Sequence, residues 1–148
     1  MKRFFPLLAL LLIVVPLASA CGGRKADAGV HSYHLAPLAE MPPEVQEAPT
    51  TVREAYQFAV YNQDVVKALP CYCGCGAMGH VSNYNCYVQD TGKGAGDVVF
   101  DNHALGCSIC VDITQDAMRM LDEGKDLDEI FANVEATYSR FGPPTPLQ

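Results

Sequence analysis

Basic residues are scarce in this chain: 10 Lys and Arg stand against 17 Asp and Glu, giving a formal net charge of −7 over 148 residues. Nucleic acid is thereby excluded as a partner, because phosphates select a basic footprint. Long apolar runs are scarcer still. Only Leu7 to Leu17 is nearly unbroken, it falls short of the ~20 residues a membrane span needs, and no later segment could span either. Other chemistries lack their signatures. Gly92, Gly94 and Gly96 are not followed by Gly-Lys-Ser/Thr, so they form no phosphate loop. Cys110 is followed by Val111 rather than His, which excludes covalent haem attachment, and the Cys107 pair lacks the βαβ surroundings of a thioredoxin-type dithiol. Asp112, Asp116, Asp122 and Glu123 read as solvated helix faces, and no carboxylate spacing argues for an acid–base pair. No catalytic residue emerges, and a non-enzymatic role is favoured.

What is present begins with an export signal. Met1-Lys2-Arg3 supplies the positive start, Leu7 to Leu17 the apolar core, and Ala18, Ser19 and Ala20 lead into Cys21. Two processing outcomes compete: cleavage with lipidation of Cys21, or simple cleavage after the pattern formed by Ala18 and Ala20. A cysteine at the first mature position, followed by small residues, favours lipidation. Residues 1–20 are therefore expected to be a lipoprotein signal peptide, and the mature protein to be exported and anchored to the outer face of the bacterial cell membrane. Loss of Lys2 and Arg3 would leave 8 basic against 17 acidic residues, a formal charge of −9. That balance disfavours electrostatic adhesion to anionic lipid and suits the collection of cations.

Between Cys21 and Thr50 the prolines Pro37, Pro42, Pro43 and Pro49 interrupt any helical pattern, so 21–50 reads as a lipidated flexible tether, with His31 and His34 solvated inside it. Pro143 and Pro144 forbid helix continuation, so 142–148 reads as a loose tail. One domain remains, 51–141. In it Thr50 or Thr51 can cap a helix burying Val52, Ala55, Tyr56, Ala59 and Val60; Asp64 can cap a further turn, Val65 to Leu69, which Pro70 ends. Val98 to Phe100 reads as a short extended piece. Ile109, Ile113, Ala117, Met120 and Leu121 then make a helical stripe. The last helix starts at Asp126 with Glu129 completing a capping box, and buries Leu127, Ile130, Phe131, Val134 and Tyr138. The fold class is mainly α: a small single helical domain with a cysteine-rich loop.

That loop holds the chemistry. Cys71, Cys73 and Cys75 alternate directly after Pro70, and Cys86, Cys107, Cys110, His80 and His103 follow, so about forty residues hold almost every group able to bind a soft cation. Cys107 and Cys110 fall at a helix start, where the N-terminus is expected to lower thiol pKa. Soft thiolates select Cu(I), zinc and iron–sulfur clusters over hard ions. An exported compartment makes Cu(I) the natural choice, with Zn(II) as competitor, since four cysteines or three cysteines and a histidine are its usual structural ligands. Met78 reads as packing, and Tyr72, Tyr84 and Tyr87 as walls of the loop.

The run Pro70-Cys71-Tyr72-Cys73-Gly74-Cys75, with Gly79-His80, Cys86-Tyr87-Val88, His103 and Gly106-Cys107-Ser108-Ile109-Cys110, resembles the bacterial proteins named for their PCYCGC motif. The resemblance covers roughly residues 51 to 140. It implies the domain limits and the signal-plus-cysteine start, and it supplies no activity. Three readings stay open: binding of a soft metal through clustered cysteines, for sequestration or for transfer with a metal-donor or metal-acceptor protein; a disulfide-stapled surface module, since six cysteines can form three bridges; and thiol–disulfide exchange at Cys107 and Cys110.

Overall fold

Small and apolar residues recur every three or four positions between 108 and 122, and this stripe becomes the central helix of the protein. The computed structural model describes residues 33–89 and 98–148. In it α1 (Pro43–Gln46), α2 (Thr50–Tyr61) and α3 (Gln63–Ala68) precede the cysteine loop. An antiparallel pair, β1 (Val88–Gln89) and β2 (Val99–Phe100), then leads to α4 (His103–Gly106), α5 (Ser108–Asp122) and α6 (Leu127–Tyr138). The protein is mainly α, as the periodicity implies. Among the described residues no helix is long and apolar enough to cross a membrane. The signal at 1–20, Cys21, His31 and the glycines Gly92, Gly94 and Gly96 lie outside the described residues.

Helix α5 packs against both α2 and α6. Phe58 of α2, Ile113 of α5 and Ile130 of α6 are wholly buried in the shared core, and each such side chain contributes ~1.5–3 kcal/mol. Tyr56 crosses edge-on to Tyr87 with ring centroids 5.0 Å apart, tying α2 to the end of the cysteine loop. The start of α6 is the expected capping box: Glu129 N donates to Asp126 Oδ1 at 2.9 Å, and Asp126 N to Glu129 Oε2 at 3.2 Å.

Several local expectations are corrected. Pro49, not a threonine, precedes α2, and the Thr50 hydroxyl accepts from Arg53 instead of capping the helix. Helix α3 begins at Gln63, ahead of Asp64. Leu127, the first residue of α6, is 38% exposed, and the buried face of the helix begins at Ile130.

Two segments read as loose are folded where they are described. Tyr33, Ala36, Met41 and Val45 are buried, Tyr33 meets Phe58 edge-on, and Ala36 N donates to Gln57 O at 3.1 Å. Asn62 Nδ2 donates to His34 O at 2.7 Å. Residues 33–49 therefore line α2. Proline breaks helical periodicity, but it does not stop an extended chain from burying side chains, so the pattern was silent. The stretch 142–148 likewise forms a strap over the cysteine loop. Thr145 N donates to Cys71 O at 2.9 Å, and Cys71 N donates back to Thr145 Oγ1 at 3.0 Å. The strap lies so close at Gly142 that a Cβ there would stand 2.9 Å from Tyr72 O.

Candidate metal centre

Leu69 leaves α3 at φ −99° and ψ 129°, the extended geometry a following proline requires, and Pro70 delivers the chain into the loop. Gly74 adopts φ +85°, a left-handed value suited to glycine. It turns the chain between Cys73 and Cys75, and the two sulfurs end in different groups. Cys71, Cys75 and Cys86 form an inner group, all three buried. Cys73, His103, Cys107 and Cys110 form an outer group in which only Cys110 is buried. Within each group the ligand atoms lie within 4.8 Å of one another, so each could hold a metal ion.

The two groups touch. Cys71 Sγ lies 3.4 Å from Cys73 Sγ and 3.3 Å from Cys110 Sγ, while Cys73 and Cys110 are 3.6 Å apart and Cys75 and Cys86 3.7 Å. Cys73 Sγ is also 3.3 Å from His103 Nε2. All six are free thiols, since these separations far exceed the ~2.05 Å of a disulfide. They fall just below the ~3.8 Å that tetrahedral geometry sets between sulfurs bonded at ~2.3 Å to one zinc-sized ion.

Such crowding divides the thiol protons. Cys73 is drawn down to about 4, chiefly by hydrogen bonding from Cys86, with His103 assisting against burial. Cys71 falls to about 7 through its hydrogen bond with Cys110, and Cys75 is lowered by hydrogen bonds from Cys110, Cys71 and Cys86. Cys86 and Cys110, which donate those bonds, are pushed up. Burial lowers His103, but the hydrogen bond to Cys73 and the thiolate charges outweigh it, so it is raised. The helix N-terminus was expected to lower Cys107 and Cys110. Both are raised instead, Cys107 by burial and Cys110 by its hydrogen bonds.

A polar layer behind the sulfurs fixes them. Tyr87 Oη donates to Cys110 O at 2.7 Å and lies 2.7 Å from Thr114 Oγ1, which receives Asn83 Nδ2 at 2.8 Å. Tyr87, Thr114 and Asn83 are fully buried, so this set holds the first turn of α5 in place. Asp101 anchors the start of the histidine segment: its Oδ1 accepts from the backbone N–H of His103 at 2.8 Å, and its Oδ2 faces His80 Nε2 at 3.8 Å, beyond hydrogen-bond reach. Asp101 stands two residues before His103, a local signal that sequence reading passed over; Thr145 and Thr114 carry none.

Seven of the eight ligands expected from sequence lie in the two groups. His80 does not. It is buried, its ring is edge-on to His103 with centroids 5.2 Å apart, and its Nδ1 has no hydrogen-bond partner among the described residues. Met78, read as packing, is 63% exposed, because it ends a short turn beside a surface cavity of about 510 Å³ that His80 and Asp101 also line. Tyr72, Tyr84 and Tyr87 are buried as walls of the loop.

No curated protein and no solved structure matches the chain. A family model described as a protein of unknown function with PCYCGC motif matches residues 13–148, well upstream of the limit the motif alone suggested. With its sulfur ligands drawn from that motif, from Cys86 and from the start of α5, the chain belongs to the PCYCGC-motif family.

Proposed function

We propose that this protein is an exported lipoprotein, held at the membrane by a lipid on Cys21, that binds a soft metal ion through its clustered cysteines for sequestration or transfer. The observation that carries the reading is the convergence of six free thiols and His103 in two contiguous groups. Cu(I) is favoured over Zn(II). Among the described residues the inner group by itself brings together three sulfurs, an all-sulfur set that Cu(I) accepts, while the outer group of three cysteines and one histidine suits zinc as well. The half-buried outer ligands Cys73, His103 and Cys107 would let a metal-donor or metal-acceptor protein exchange ligands one at a time. Thiol–disulfide exchange at Cys107 and Cys110 is less well supported, because both thiols are held protonated and exchange needs a thiolate.

Native mass spectrometry of the reduced soluble domain, given Cu(I) anaerobically against a competing chelator, tests the reading. A metal-bound mass that survives the chelator and vanishes in the Cys73→Ser/Cys75→Ser variant supports it. Retention of no metal, with a mass deficit of ~2 Da per cysteine pair as isolated, leaves the disulfide-stapled module in its place.

A further inference from the structure

Separate metal sites in one protein keep their ligands apart, so that each ion has a closed shell. Here the opposite holds. The shortest sulfur–sulfur distances run between the groups, 3.3 Å from Cys71 to Cys110 and 3.4 Å from Cys71 to Cys73. Those inside the groups are longer, 3.6 Å for Cys73 to Cys110 and 3.7 Å for Cys75 to Cys86. Cys71 thus belongs to the inner set by position while touching two outer sulfurs, and Cys110 touches one sulfur of each set. A thiolate has lone pairs enough to bind two soft ions at once, and these two sulfurs sit where both ions would reach them.

We propose that the two groups hold two Cu(I) ions as one thiolate-bridged pair, with Cys71 and Cys110 as the shared sulfurs. The proposal rests on the metal-binding reading and adds to it the number of ions and the way they are joined. Cys75 and Cys86 complete the inner ion's shell, and the outer ion draws the rest of its shell from among Cys73, Cys107 and His103. Loading changes no oxidation state: each thiol that binds releases its proton to solvent, and copper remains Cu(I). Sharing couples the ions, since the first to bind deprotonates and orients sulfurs that the second uses.

The two positions differ in access. Every ligand of the inner ion is buried, whereas the outer ion keeps three half-buried ones. The outer ion is therefore the one that exchanges with a partner, and the inner ion is retained.

The test is Cu(I) titration of the full mature chain followed by native mass spectrometry and copper X-ray absorption. Two ions per chain with a copper–copper scattering shell are expected. Cys107→Ser, at a half-buried position where folding is tolerant, should keep the inner ion and weaken the outer one at least tenfold. One ion per chain without a copper–copper shell overturns the bridged pair and leaves metal binding intact. Two ions without that shell also overturn it. Failure to retain any copper removes the metal reading itself.

Discussion

Thr145 holds Cys71 by both sides of its peptide, accepting from its N–H at 3.0 Å and donating to its carbonyl at 2.9 Å across 74 residues of sequence. Cys71 is wholly buried, so its backbone has no access to water as an alternative partner. The strap thereby fixes the sulfur that stands nearest to both ligand groups.

Thr145→Val keeps the shape and removes the acceptor, leaving the Cys71 N–H unpaired. Urea unfolding of the metal-free protein should show a loss of ~1–3 kcal/mol, the cost of an orphaned buried donor. Thr145→Ser should stay near the parent. An unchanged midpoint for the valine variant would show that the clasp contributes nothing.

Tyr87→Phe deletes the hydroxyl shared by Cys110 O and Thr114 Oγ1. Stability should fall by ~0.5–1.5 kcal/mol, the net worth of a hydrogen bond, with the metal stoichiometry unaltered because no donor atom is lost. A changed stoichiometry in native mass spectra would mean that this layer does more than position the sulfurs.

Cys73 and Cys107 are both half-buried, yet hydrogen bonding from Cys86 draws Cys73 down to about 4 while burial raises Cys107. Above its pKa a thiol is fully thiolate, and below it the thiolate fraction rises about tenfold per pH unit. Iodoacetamide labelling of the reduced metal-free protein from about pH 6 to about pH 8 should therefore be nearly flat at Cys73 and climb steeply at Cys107. Peptide mapping reads the two rates separately, and parallel slopes would contradict the proton distribution described.

His80 lies in neither ligand group, whereas His103 Nε2 is 3.3 Å from Cys73 Sγ. His80→Ala should keep the parent's copper stoichiometry, and His103→Ala should weaken the outer ion about tenfold or more. Competition against a chelator separates the two variants. Loss of an ion on replacing His80 would place its unpaired Nδ1 in the coordination shell.

Local signals in the sequence reached local structure and stopped there. The Ile113, Ala117 and Met120 stripe and the Asp126–Glu129 capping box are set within one or two helical turns, and both appear as read. The packing of Tyr33 and Met41, the grip of Thr145 and the exposure of Leu127 depend on residues far along the chain, for which no spacing rule speaks. The cysteines were legible as a set, but their partition was not. Alternation places Cys71, Cys73 and Cys75 alike, and the left-handed turn at Gly74 separates Cys73 from Cys75. At Cys107 a correct general effect was outweighed, because desolvation opposed the helix N-terminus.

The strap and the split ligand set make the short motif a poor stand-in for the protein. A synthetic peptide spanning Pro70 to Gly76 would carry three of the seven donors, without the imidazole, the sulfurs of Cys86, Cys107 and Cys110, or the clasp on Cys71. Its three thiols would be free to wrap one ion in whatever geometry that ion prefers. The folded chain instead presents sulfurs whose positions were fixed by contacts up to 74 residues away, so affinities measured on the isolated motif would report on cysteine chemistry and not on this molecule.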